Sequence, residues 1–184
     1  MPGSVYRQLF DLAVDQHGYL TTAQARAEGV RARTLAMMAQ RGTIERVSQG
    51  LYRLIHFPLG DRAAYMEASL WPVGTRGIIS HESALALYEI SDVNPSKIHI
   101  TVPGVFRVRR SLPAHLVVHH AELKDDEVDW VDAVPVTTVQ RTILDCSAAH
   151  LGPEIIRQAI DDGQRNGLLT TRAAEALRLQ LLSS

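Results

Sequence analysis

Arginine side chains recur at short intervals in one stretch near the N-terminus. From Arg26 to Arg53 the chain holds six arginines against two acids, Glu28 and Glu45. A guanidinium group binds phosphate oxygens and can make two hydrogen bonds to a guanine edge, and the amide of Gln40 suits an adenine edge. This stretch therefore carries the side chains needed to contact a nucleic acid duplex.

A second pattern could support hydrolysis. Asp92 and the later Glu122-Leu123-Lys124 formally match the acid and Glu-x-Lys arrangement of metal-dependent nucleases, in which carboxylates hold Mg²⁺ and the lysine orients the attacking water. The match is poor, because Glu122 opens an acidic run to Asp132 that is typical of a solvated turn. We keep a small nuclease as an alternative, and we expect no enzymatic activity, no catalytic residue and no cofactor.

Histidines and a cysteine are the remaining candidates for chemistry. His99, His115, His119 and His120 could suggest a zinc site. However, adjacent histidines on a strand point to opposite faces, and no pair of Cys or His has zinc-finger spacing. The single cysteine, Cys146, lies in an apolar helical stretch and is expected to be buried and inert. We therefore predict no metal site.

Helical periodicity and turn residues show how the arginine-rich stretch is positioned. They predict helices over residues 4–17, 22–28 and about 31–41, followed by strands over 44–47 and 51–54. Three helices and a hairpin in so few residues are typical of a winged helix-turn-helix.

Residue spacing within the two-helix unit supports this interpretation. Counted from residue 21, the fifth residue is Ala25, the ninth is Gly29, and the fifteenth and eighteenth are Leu35 and Met38. A small fifth residue lets the helices cross closely, glycine adopts the left-handed turn, and the apolar pair faces the first helix. The third helix is therefore the predicted recognition helix for a major groove.

The predicted contacts with DNA follow from this placement. Arg31 and Arg33 begin the recognition helix and can reach base edges or phosphates, whereas Arg46 and Arg53 flank the wing and suit phosphates. A second basic cluster over residues 107–110 could grip flanking phosphates, although a solvated edge strand explains it equally well. Docking to a protein remains an alternative use of the winged helix. The predicted DNA-binding residues are Thr22, Arg31, Arg33, Thr34, Met37, Gln40, Arg41, Arg46, Arg53, Arg107, Arg109 and Arg110.

Charge and composition divide the chain into two parts. Residues 1–60 carry seven arginines and four acids, a net charge of +3, and residues 61–184 carry twelve basic and sixteen acidic residues, a net charge of −4. The Phe57-Pro58-Leu59-Gly60 stretch suits a boundary between them. We predict a DNA-binding domain over residues 1–58 and a second domain over 59–184.

The second domain combines helical and strand patterns. Helices are predicted over residues 61–70, 80–90, 138–149, 153–166 and 171–182, and strands over 97–102, 106–110, 115–120 and 134–136. Arg141 is expected to pair with Asp145, four residues later on the same helix. The predicted fold class is α+β, with a small sheet packed by helices.

Three observations indicate a cytoplasmic protein. One cysteine cannot form a disulfide within the chain, and the N-terminus lacks the pattern of a secretory signal. No apolar run approaches the roughly 20 residues that cross a bilayer, so no membrane partner is expected.

Four motifs occur together along most of the chain, over about residues 5–165. They are GYLTTAQARAEGV, RGTIERVSQGLYRL, ISHESALALYEISDVNPSKIHITVP and PVTTVQRTILDC. In this order and spacing the chain resembles the AbiEi family of antitoxins from type IV toxin-antitoxin systems. In one departure from the resemblance, Arg31 stands where relatives often have Ser or Thr at the start of the recognition helix.

The resemblance implies both a fold and a function. It implies an N-terminal winged helix-turn-helix that binds inverted repeats in its own promoter, as a monomer in solution that binds DNA cooperatively. It also implies a C-terminal antitoxin domain that counteracts a nucleotidyltransferase-like toxin encoded alongside, without obligatory contact between the two proteins. A regulator whose second domain senses a ligand, with no antitoxin role, is a further alternative.

Overall fold

The fold is α+β, as predicted, in a computed structural model that describes residues 4–107 and 111–182. Its contacts define two compact units. The first comprises Met1–Gly77 with Asp132–Val134, and the second comprises Ile78–Val131 with Pro135–Ser184. Within the described residues, no helix is both long and apolar enough to span a membrane.

The first unit contains the predicted winged helix-turn-helix. Its helices are α1 (Ser4–Ala13), α2 (Thr22–Ala27), α3 (Ala32–Gln40) and α4 (Ala63–Leu70), and its strands are β1 (Tyr19–Thr21), β2 (Ile44–Ser48) and β3 (Leu51–Leu54). The strands form an antiparallel sheet in the order β1-β3-β2. The predicted helices and hairpin are confirmed, whereas β1 is an addition because three residues are too short for an alternating pattern to be recognised.

Local signals fix the two-helix unit at both ends of α2. Thr21 Oγ1 accepts a hydrogen bond from the Gln24 amide at 3.2 Å, and Gln24 Oε1 accepts one from the Thr21 amide at 2.8 Å, which is a capping box. Gly29 then adopts a φ of +80° in the turn before α3. The predicted small and apolar positions are also confirmed, since Ala25 and Leu35 are fully buried and Met38 packs on the same core.

The first unit runs past the predicted boundary at residue 58. The cause is α4, which packs against β1 and is joined to it by a 2.9 Å hydrogen bond from the Tyr19 hydroxyl to Glu67 Oε2. Helix α4 begins at Ala63, with Arg62 as its N-cap, two residues after the predicted start at residue 61. The division of function at residue 58 remains a prediction.

Among the described residues, the second unit packs four α-helices with a five-stranded sheet. The helices are α5 (His81–Tyr88), α6 (Val139–Ala148), α7 (Pro153–Arg165) and α8 (Thr171–Leu182), and the strands are β4 (Ile78–Ile79), β5 (Ile98–Val102), β6 (Leu116–His120), β7 (Val128–Val131) and β8 (Val134–Thr137). The strand order is β6-β5-β4-β8-β7. Strands β5 and β6 are parallel, as are β4 and β8, and β4 pairs with β5 antiparallel.

Two predictions for the second unit are corrected. Phe106 and Arg107 follow a turn after β5 and belong to no strand, and residues 108–110 lie outside the described residues. The acidic run after Glu122 was predicted to be a solvated turn, but residues 128–131 form strand β7. Because β7 is at the edge of the sheet, Asp129 stays in solvent while the backbone pairs on one side.

Candidate nucleic-acid interface

Helix α3 has one buried face and one face in solvent. Leu35 is fully buried in the core of the unit, and Met38 and Ala39 pack beside it. Arg33, Met37 and Gln40 are exposed, and their spacing of four and three residues places them on one side of the helix. The helix is therefore held by its inner face, and its outer face is accessible to a duplex.

Exposed arginines stand at both ends of α3. Arg31 is the N-cap residue, with an extended backbone (ψ of 146°) and no capping hydrogen bond from its side chain. Arg31, Arg33 and Arg41 are exposed, and no described residue forms an ion pair with any of them. Their guanidinium groups face water rather than a carboxylate, so an anion can approach them without displacing a partner.

The two wing arginines differ in their surroundings. Arg46 is exposed on β2. Arg53, opposite Glu45 in the β2–β3 register, donates from Nη2 to Glu45 Oε2 at 2.8 Å. Because this ion pair already satisfies part of the guanidinium, Arg46 is the better placed of the two to contact a phosphate. The pairing was within reach of sequence reasoning, since the hairpin register sets Glu45 against Arg53.

The two threonines among the predicted contacts are only half-buried. Thr34 lies in the first turn of α3, where its amide donates to the Arg31 carbonyl at 2.9 Å. Thr22 begins α2 and lines a cavity of about 340 Å³ together with Gln24 and Gly50. Both side chains lie near the surface, in the first turns of α2 and α3.

The second basic cluster is described only at Arg107. Its Nη1 donates to the carbonyl oxygens of Gly104 at 2.7 Å and Phe106 at 3.0 Å, so the side chain folds back on its own turn. Arg109 and Arg110 lie outside the described residues. The structure thus gives Arg107 a role in the turn after β5, in place of the predicted strand.

The residues of the nuclease pattern have separate structural partners. The Asp92 amide donates to Gln158 Oε1 at 3.2 Å, and Glu122 Oε1 accepts from the Gly104 amide at 2.8 Å. The described residues contain no group of three carboxylates arranged to hold a metal ion. Asp92 and Glu122 are therefore not part of such a group in the described part of the chain.

Predictions for individual buried groups are confirmed. Cys146 is buried, and burial raises the pKa of its thiol to about 12.

Arg141 Nε donates to Asp145 Oδ1 at 2.9 Å, and Arg141 Nη1 donates to Glu127 Oε1 at 3.0 Å. Arg141 therefore makes the predicted pair with Asp145 and, in addition, links α6 to the residue before β7.

The histidines separate into two groups. His115 and His120 are exposed, whereas His99 and His119 face each other on β5 and β6. The expectation that His119 and His120 point to opposite faces is met. Sequence reasoning did not include His81, the first residue of α5, which lies beside the inward pair. Its motif, Ser-His-Glu-Ser at a helix start, does not indicate by itself that the histidine meets two strands.

Comparison with known proteins agrees with the N-terminal geometry. Residues 7–55 match the model of a family described as "Transcriptional regulator, AbiEi antitoxin". No curated protein matches the sequence. Among solved structures, the crystal structure of the RV2827C protein from Mycobacterium tuberculosis aligns with 97% of this chain and 72% of that chain, at 16% identity and a TM-score of 0.49. The matched segment, residues 7–55, contains most of α1, all of α2 and α3, and the wing, and over this segment the predicted resemblance to the AbiEi antitoxin family of transcriptional regulators is confirmed.

Proposed function

We propose that the protein is an antitoxin and a transcriptional autorepressor that acts in the cytoplasm. In this proposal the winged helix-turn-helix binds inverted repeats in the promoter of its own operon. The second part of the chain, about residues 59–184, counteracts a cognate toxin of the nucleotidyltransferase type. The protein is a monomer in solution and binds cooperatively on the operator.

One observation carries the DNA-binding part of the proposal. Arg31 at the N-cap of α3 and Arg33 on its outer face are exposed to solvent without an ion pair to any described residue, while Leu35 anchors the inner face. A helix held in this way can enter a major groove without rearrangement of the core. The family match over residues 7–55 supports the same use.

The proposed contacts divide by type. Arg31, Arg33 and Gln40 are proposed to read base edges or bind phosphates from the recognition helix. Arg46 is proposed to bind a backbone phosphate from the wing, which adds affinity without sequence information. The remaining proposed contacts are Thr22, Thr34, Met37, Arg41, Arg53, Arg107, Arg109 and Arg110.

A mobility-shift titration tests the DNA-binding part. The probe is a duplex from directly upstream of the operon, and a scrambled duplex of the same composition is the competitor. We expect the wild-type chain to prefer the upstream duplex and to bind its two half-sites cooperatively. Equal binding to both duplexes would contradict sequence-specific repression.

Growth rescue tests the antitoxin part separately. The neighbouring toxin is expressed with the wild-type chain or with an Arg31→Ala, Arg33→Ala double variant, both from a promoter that the chain does not regulate. We expect both to restore growth, because neutralisation is assigned to the second part of the chain. Failure of the wild-type chain to restore growth would favour a regulator without an antitoxin role.

A further inference from the structure

Three histidines come together in the second unit of the fold. His81 begins α5, His99 lies on β5, and His119 lies on β6. His99 Nδ1 is 3.1 Å from His119 Nε2, and the rings of His81 and His119 stack with centroids 3.6 Å apart. One ring nitrogen from each residue lies within 4.8 Å of the others, and all three residues are half-buried.

The sheet and its neighbouring helix bring these side chains to one place. In the parallel β5–β6 register His99 is opposite Val117, and Thr101 is opposite His119. Side chains two residues apart on a strand share a face, so His99 and His119 are diagonal neighbours on the same face. Helix α5 packs against β5, and the His99 amide donates to Ser83 Oγ of that helix at 2.8 Å.

The backbone at His81 has an uncommon conformation. Its φ is +53°, in the left-handed region, and such a conformation costs a residue with a side chain stability that other contacts must offset. His81 Nδ1 is 3.0 Å from Ser80 Oγ, which in turn accepts a hydrogen bond from the Thr101 hydroxyl at 2.8 Å. With Nδ1 next to a hydroxyl, Nε2 is the ring nitrogen left for a ligand, which is the usual arrangement of a metal-bound histidine.

The charge state of the cluster suits metal binding. Burial lowers the pKa of His81 and of His119 to about 4, and it also lowers the pKa of His99. The rings are therefore uncharged at neutral pH, and neutral imidazole is the form that binds metals. Asp145 acts on His119 electrostatically, and its buried Oδ2 has no hydrogen-bond partner among the described residues.

We propose that His81, His99 and His119 form a binding site for a divalent transition metal ion, with Zn²⁺ as the best fit. Three imidazole ligands and a fourth position open to water suit zinc. Nitrogen ligands of tetrahedral zinc lie roughly 3.3 Å apart, close to the 3.1 Å between His99 Nδ1 and His119 Nε2. Rotation of the His81 ring out of its stack on His119 completes the set of three nitrogen ligands.

This site departs from the sequence expectation of no metal. Strand spacing correctly separated His119 from His120, but it could not show that a helix start supplies a third imidazole beside His99. A bound ion would join α5, β5 and β6, and so it would stabilise the second unit of the fold.

Titration with Co²⁺ and Zn²⁺ on the full chain tests the proposal. Co²⁺ in a tetrahedral nitrogen site absorbs strongly in the visible range, and Zn²⁺ should displace it. We expect a single Co²⁺ per chain and Zn²⁺ binding with a Kd of micromolar or tighter. His99→Ala and His119→Ala should each weaken binding by more than about 100-fold, since even partners of metal ligands are worth 10- to 100-fold.

His120→Ala is the matched control, because His120 is next to His119 on β6 but is exposed. It should bind Co²⁺ and Zn²⁺ as the wild-type chain does. No metal binding by the wild-type chain would overturn the proposal and leave the cluster as a hydrogen-bonded and stacked packing unit. Equal weakening in His120→Ala, or full binding in the two inward variants, would overturn it as well.

A measurement on the wild-type chain avoids any folding defect of the variants. Paramagnetic Co²⁺ broadens the NMR signals of nearby amides, so broadening should centre on residues 80–82, 98–100 and 118–120. Broadening centred on another part of the chain would contradict the assignment.

Discussion

The two arginines of the wing differ in how easily an anion can bind the guanidinium group, because only one of them has an acidic partner within the described part of the chain. Arg53 is paired with Glu45 at 2.8 Å, whereas Arg46 is exposed and has no ion-pair partner among the described residues. An anion that binds Arg53 must compete with a carboxylate, and one that binds Arg46 displaces only water. We therefore assign the phosphate contact of the wing mainly to Arg46.

The role of Arg46 can be measured through salt dependence. Each phosphate contact contributes about one unit to the slope of log affinity against log salt concentration. Arg46→Ala should lower that slope by about one and weaken binding to all sequences about equally. Arg172→Ala is the control, because Arg172 is an exposed arginine on α8 that is assigned no contact. An unchanged slope in Arg46→Ala would show that Arg46 does not bind a phosphate.

Cys146 gives a prediction that follows from burial alone. Burial raises the pKa of its thiol to about 12, so almost no thiolate is present at pH 8. We expect a thiol-reactive dye to label the native chain very slowly and the chain in guanidinium chloride quickly. Rapid labelling under native conditions would show that the α6 core opens readily.

Helix α3 depends on the turn before it as well as on its own residues. Gly29 has a φ of +80°, and a Cβ there would meet no atom within 4 Å. The cost of Gly29→Ala is therefore set by the left-handed backbone and should be about 1–2 kcal/mol in the free energy of unfolding. Denaturant titration measures this cost.

Gly60→Ala is the control for this substitution. A Cβ at Gly60 also meets no atom within 4 Å, and the backbone of Gly60 is not left-handed. We expect its effect to stay within about 0.5 kcal/mol. Equal losses in the two variants would show that the turn conformation does not limit stability.

The N-cap of α3 allows folding and DNA binding to be separated. Arg31 occupies the cap without a capping hydrogen bond from its side chain, and serine is among the strongest N-cap residues. Arg31→Ser should therefore raise the free energy of unfolding by roughly 0.5–1 kcal/mol. It should also weaken operator binding by about 1–3 kcal/mol if Arg31 makes a base contact.

A loss of both stability and binding in Arg31→Ser would contradict this assignment. It would mean that Arg31 supports α3 rather than the duplex. Chemical denaturation and fluorescence anisotropy on the same preparation give the two free energies.

Elements with strong local signals were predictable, and very short ones were not. Thr21, Gly29 and Pro153 mark helix ends by their own chemistry, and the helices they bound appear where expected. Strands β1 and β4 have three and two residues, too few for an alternating pattern, and their existence depends on pairing with β3 and β5. Strand β7 was hidden in an acidic run, because an edge strand tolerates charge.

The candidate sites divide in the same way. The exposed face of α3 follows from helical periodicity, so its arginines could be assigned from the sequence. The histidine cluster forms only because β5, β6 and the start of α5 come together in the fold. No local sequence pattern predicts that contact. The Arg53–Glu45 pair requires the hairpin register, which the sequence indicates only once both strands are accepted.

At the scale of the whole molecule, charge is distributed unevenly along the chain. Residues 1–60 carry a net charge of +3, and residues 61–184 carry a net charge of −4. An overall charge of −1 therefore conceals a basic N-terminal part, whose charge suits DNA, and a remainder with a net negative charge. This segregation fits a protein whose two parts have different partners.

Fluorescence anisotropy with a labelled upstream duplex measures whether α3 reads the operator. We expect an Arg31→Ala, Arg33→Ala double variant, folded by circular dichroism, to lose at least about 2 kcal/mol of binding free energy and its preference over a scrambled duplex. We expect Arg172→Ala to bind as the wild-type chain does. Unchanged affinity and preference in the double variant would contradict recognition of the operator by α3.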